Sequence, residues 1–210
     1  MTGLVSLIGL SLAPSGFARR PNPSITLKVG VYNYAEIGGL EKREAEGEAS
    51  RLFDRAGVRI VWVDCALTQE EIALHPQCSN PDVVLRFLPA SMTTRLDEHA
   101  EALGQSIGWG GNGRAWSANV FYARVLELSS SWNLDPAQVL GDAAAHELGH
   151  LLLGPGHART GIMLAVWSPL DLRRASQGGL KFTEGEMALL KDAVNTLRSK
   201  PAPVLASRNE

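Results

Sequence analysis

Asp135-Pro136 and Gly154-Pro155 bracket the most constrained segment of the chain. Aspartate is a favoured helix N-cap, and proline is tolerated at the first helical position, where no backbone donor is needed. Gly154 fits the left-handed C′ position and Pro155 forbids continuation, so a helix is predicted to end at Leu153. Ala143, Ala144, Ala145, Leu148, Leu151, Leu152 and Leu153 make this helix apolar nearly all round, which is the pattern of a buried element. It nevertheless carries His146, Glu147 and His150. Ionisable groups are seldom buried without partners, so a metal or a polar network has to accompany them.

The segments before this helix read as alternating strands and helices. Ile25 to Tyr34 places Ile25, Leu27, Val29 and Val31 at the period-two spacing of a half-buried strand. Leu40, Ala45, Ala49, Leu52, Phe53 and Ala56 follow at helical spacing, with Gly57 as the stop. Val58 to Val63 and Asp82 to Leu88 are the next strands, the latter bounded by Pro81 and Pro89. Gly104 to Gly113 is rich in glycine but lacks the strand-to-helix setting and the Lys-Ser/Thr or acidic partner of a nucleotide loop. It reads as a flexible connection or an irregular edge bordering a cleft. Ala118 to Val125 is a strand running into a short helical or extended segment. A last helix starts at Thr183, where Thr183 and Glu186 form a capping box, and continues through Leu197.

His146 to His150 spell H-E-L-G-H, a match to H-E-x-x-H. Residues four apart share a helical face, so both imidazoles can bind one zinc ion, and Glu147 can reach water on that ion without binding it. Zinc lowers the pKa of bound water and polarises a carbonyl, while a carboxylate takes up and later delivers a proton. An open catalytic site needs a third protein ligand. His157, directly after the Gly154-Pro155-Gly156 turn, is the first candidate; Glu184 or Glu186 of the last helix is the alternative. Asp142, four residues before His146, is either an imidazole-orienting partner or a solvent-facing acid, the second being the ordinary case. Trp109, Trp116 and Trp167 are core residues first and cleft residues second, and His75 and His99 sit in polar contexts without an assigned role.

HELGHLLLGPGH followed by ARTGIM resembles the metzincin clan of metalloproteases, whose pattern is H-E-x-x-H-x-x-G-x-x-H followed by a methionine-containing turn. The sequence departs from that pattern by one extra residue before the glycine. The resemblance covers Asp135 to Met163 closely and the preceding strands and helix loosely. It implies His146, His150 and His157 as ligands of one catalytic Zn2+, Glu147 as general base and Met163, six residues after His157, as the Met-turn residue beneath the metal. It also implies an extended polypeptide substrate laid along an edge strand, for which residues near Gly104 to Ala118 are candidates.

The chain has 210 residues, enough for a single catalytic domain, expected over residues 24–199, with residues 200–210 as a frayed tail. Lys plus Arg number 20 against 22 Asp plus Glu, and no basic cluster interleaves with aromatics, which argues against a nucleic-acid partner. Leu4 to Ala13 is an apolar run followed by small residues, as in a secretory leader, although no positively charged segment precedes it. It is too short to span a bilayer, so residues 1–20 are expected to be a leader rather than a stable membrane insertion. Cys65 and Cys78 are candidates for a disulfide, consistent with a secreted or periplasmic location.

The expected fold is α/β (α+β), a small twisted mixed sheet packed on an active-site helix and a C-terminal helix. The expected activity is zinc-dependent endopeptidase. A non-catalytic zinc-stabilised binding protein and a zinc hydrolase of small amides are the alternatives.

Overall fold

The computed structural model describes residues 25–65, 67, 78, 80–93, 102–108 and 115–199. The expected leader, the expected tail, Trp109, His75 and His99 lie outside them. In chain order the elements are β1 (Ile25–Asn33), α1 (Gly39–Arg55), β2 (Val58–Asp64), β3 (Val83–Leu88), α2 (Ala90–Thr93), β4 (Gly104–Gly108), β5 (Ala115–Phe121), α3 (Tyr122–Trp132), α4 (Pro136–Leu153), α5 (Pro169–Ser176) and α6 (Glu184–Ser199). The strands form one five-stranded sheet in the order β2-β1-β3-β5-β4. β1, β2, β3 and β5 are parallel, and β4 runs antiparallel to β5 at the sheet edge.

The α/β reading therefore holds, and the glycine-rich stretch read as a connection or irregular edge contains the edge strand itself. Glycine is a poor strand former, so the pattern of β4 is weak; its pairing with the better-formed β5 supplies what propensity does not. The short segment after β5 is longer than expected, an eleven-residue helix α3 ending on Asn133 in the left-handed conformation.

Parallel strands need both faces covered. Leu27, Val29, Val31, Val83, Leu85 and Phe87 are buried in one core with Ala45, Ala49, Leu52 and Phe53 of α1, Leu140 and Leu148 of α4 and Leu190 and Val194 of α6. Phe53 meets Phe182 edge to face with ring centroids 5.0 Å apart. Near the sheet end, Cys65 and Cys78 are joined in a disulfide with Cα atoms 5.5 Å apart, closing a loop that starts at the end of β2. In the chain-entropy picture a cross-link over such a loop contributes about 3 kcal/mol.

Helix α4 is capped as expected. The Asp135 side chain accepts from the Ala137 N–H at 3.0 Å, and Pro136 takes the first helical position. Its C-terminal stop differs in detail: Gly154 has φ 96° and ψ −176°, an extended glycine-only conformation rather than the left-handed cap. This turns the chain sharply away from the helix axis. Helix α4 packs on α1, β4, β5 and α6, so nearly every residue along it from Ala137 to Leu151 is buried. α5 is an addition to the expected elements, and Ser168, Pro169 and Asp171 give it a complete capping box with proline in the first turn.

Candidate metal centre

His146 and His150 lie one turn apart near the end of α4, facing the turn that begins at Gly154. That turn returns His157 to the same place: one ligand atom from each of the three histidines lies within 4.8 Å of the others. Ring centroids are 4.6 Å apart for His146 and His150, 5.5 Å for His146 and His157, and 4.8 Å for His150 and His157. His146 is buried, His150 half-buried and His157 exposed, so the cluster opens to solvent on the side of the third imidazole. Glu184 and Glu186 are not in it. Glu186 instead accepts from the Thr183 N–H at 2.7 Å, closing the expected capping box of α6.

The hydrogen bonds decide which ring nitrogens face the cluster. His146 Nδ1 lies 2.7 Å from the Ile162 carbonyl oxygen and His150 Nδ1 lies 3.0 Å from that of Gly154. A carbonyl only accepts, so each Nδ1 carries the proton and each Nε2 presents a lone pair. The two Nε2 atoms are 2.9 Å apart. Burial drives both imidazoles toward the neutral form: it pushes His146 down to about 4, against the opposing pull of the Ile162 carbonyl, and also lowers His150. Two lone pairs this close repel unless a cation lies between them. Imidazole nitrogens about 2.0–2.1 Å from a tetrahedral zinc are about 3.3 Å apart, so the donor set fits a zinc-sized ion with only a small adjustment.

The segment after His157 is tied down by backbone pairing. Ala158 N–H donates to the Met163 carbonyl at 2.8 Å and Ile162 N–H to that of Lys181 at 2.9 Å. Ile162 and Met163 are thereby buried, at 0% and 1% exposure. Met163 Sδ lies under α4, 2.6 Å from where a Cβ on Gly149 would stand. The Ile162 carbonyl also accepts from Trp167 Nε1 at 3.1 Å, and the Trp167 ring meets His146 edge to face at 5.5 Å. Trp167 thus helps fix the acceptor that orients His146, as partners behind metal-binding histidines commonly do. The sequence contains no sign of this role, because it depends on a turn placing a main-chain oxygen.

Glu147 is buried, and burial raises its carboxyl to about 7, with a hydrogen bond from Ser106 pulling the other way. A carboxyl poised there can take up and release a proton near neutral pH. Asp142 corrects an expectation. It is fully buried rather than solvent-facing, and it hydrogen-bonds no imidazole. It points instead toward Glu48 and Arg51 of α1 and Gln138.

No protein-family model and no curated protein matches the chain. Among solved structures, the chain is similar to the crystal structure of archaemetzincin from Methanopyrus kandleri: the TM-score is 0.50 at 18% identity, covering 81% of this chain and 96% of that one. Two structures of myroilysin align with a TM-score of 0.34 each, at 15% and 14% identity, covering 82% and 79% of this chain and 69% and 72% of theirs. The likeness is one of fold: a five-stranded, mostly parallel sheet with its helices, similar to that of archaemetzincin.

Proposed function

We propose that the protein is a zinc-dependent endopeptidase in which His146, His150 and His157 hold the metal and Glu147 is the general base. The observation that carries this reading is the pair of Nε2 lone pairs 2.9 Å apart, both imidazoles being neutral and both Nδ1 protons committed to carbonyls. The next residue, Glu147, is a base that a purely structural zinc site does not need. Zinc, when bound, supplies Lewis-acid polarisation of a carbonyl and acidifies water. Glu147 takes a proton from the attacking water and passes it to the leaving amine. Met163, buried beneath the helix, forms the apolar floor in the manner the metzincin resemblance implies. β4, at the sheet edge and in contact with α4, favours an extended polypeptide over a small amide, because a strand edge offers main-chain donors and acceptors along its length.

The disulfide supports a secreted or periplasmic location, and no helix among the described residues is long and apolar enough to cross a membrane. Incubation of the zinc-loaded protein with fluorescently labelled casein tests the activity. Cleavage that stops on chelation and returns with zinc is expected; an intact substrate with a fully loaded metal site would refute the peptidase reading.

A further inference from the structure

The carboxyl of Glu147 is gripped from the sheet side by β4. Ser106 Oγ lies 2.9 Å from Glu147 Oε2 and 2.9 Å from the Glu147 backbone oxygen. Gly104 is two residues earlier, hence on the same face of the strand. A Cβ there would stand 2.6 Å from Glu147 Cγ and 2.7 Å from Oε1, and 2.6 Å from the Asn119 carbonyl oxygen. The carboxyl thus occupies the room that a side chain at position 104 would need, with one oxygen over Gly104 and the other on Ser106. Among the described residues Ser106 is the side chain that hydrogen-bonds it.

Resting on the peptidase reading, we propose that Ser106 is a positioning residue for the general base, with Gly104 leaving the space in which the carboxyl is held. A base in hydrolysis has to be held in the same place with and without its proton. The Ser106 hydroxyl has one proton and two acceptors within reach. It donates to Oε2 when Glu147 is a carboxylate. When the other oxygen, Oε1, has taken the proton from water, Oε2 is the carbonyl oxygen of the acid and still accepts from Ser106. No heavy atom moves and no bond beyond the transferred O–H is made or broken. Alanine removes this partner; threonine keeps it.

Two measurements on the full chain as purified test the proposal. The first is a double-mutant cycle in chemical unfolding with Ser106→Ala, Glu147→Ala and the double variant. Loss of the hydroxyl should lower the folded-to-unfolded ratio about fivefold to tenfold beside Glu147 and clearly less beside alanine at position 147, where the backbone oxygen still accepts from Ser106. Equal losses in both backgrounds would overturn the proposal. The second is hydrolysis of labelled casein: Ser106→Ala should lower kcat roughly tenfold or more with KM and zinc content unchanged, and Ser106→Thr should restore most of it. An unchanged kcat for Ser106→Ala, in a wild type that cleaves, would also overturn it. If the wild type cleaves nothing, the peptidase reading fails and the unfolding cycle alone decides whether Ser106 holds Glu147.

Discussion

Helix α4 buries ionisable side chains at two places one turn apart, and handles them in opposite ways. At Asp142 the group is an acid pushed toward its protonated form: burial and the neighbouring Glu48 charge raise its pKa well above the usual carboxylate range, with Arg51 pulling the other way. The Glu48 carboxylate is itself paired with Arg51, whose Nε donates to it at 2.7 Å. At His146 and His150 the groups are bases pushed toward their neutral form. Both clusters avoid a buried net charge, as the cost of desolvating ions demands. They differ in what is left over. A neutral acid beside the Glu48–Arg51 pair leaves no charge to balance, so the first cluster calls for no ion. Two neutral imidazoles with converging lone pairs have no donor between them, an arrangement that suits a cation. The comparison separates a buried polar cluster that joins two helices from one that calls for a ligand.

Changes at the second cluster should produce the largest effects. Glu147→Gln should lower peptide hydrolysis by roughly 10²–10⁴-fold while zinc content stays at the wild-type level. Zinc lost along with activity would mean that Glu147 contributes to holding the metal. The next effect is on stability. Saturating zinc, at about a thousand times its dissociation constant, should add about 4 kcal/mol to the unfolding free energy. This gain should vanish in His150→Ala and persist in Asp142→Asn, measured as the shift in thermal midpoint on adding zinc or chelator. A gain lost equally in both variants would erase the distinction between the clusters.

The smallest effect belongs to Asp142 and depends on pH. Because its folded pKa is raised above the unfolded value, the protonated side chain contributes stability below the unfolded pKa, and this is lost as pH rises through the folded one. An amide at this position cannot ionise. Asp142→Asn should therefore stabilise the protein by about 1 kcal/mol at pH 8 and by little at pH 4. An equal shift at both pH values in chemical unfolding would contradict the assignment of a retained proton.

The same helix marks what is legible in the sequence. Both ends of α4, its burial and the spacing of its histidines follow from residues adjacent in the chain: the Asp135-Pro136 start, the Gly154-Pro155 stop and the apolar residues between. β1, β2 and β3 are readable from alternation for the same local reason. Asp142 reads wrongly as a solvent-facing acid because its neighbours Glu48 and Arg51 come from α1, far away in sequence. Ser106 and the Ile162 carbonyl are invisible for a related reason: each matters only once the sheet edge or the turn after His157 has been folded against α4. The capping box of α5, by contrast, is local, and Ser168-Pro169 followed by Asp171 is the signal that marks it.

Elemental analysis of zinc in the purified wild type and in His157→Ala probes the three-histidine centre itself. About one zinc per chain is expected in the wild type and a marked loss in the variant, His157 being the exposed member of the proposed three-ligand site. A wild type that takes up no zinc, or a His157→Ala protein that retains it in full, would contradict the three-histidine centre.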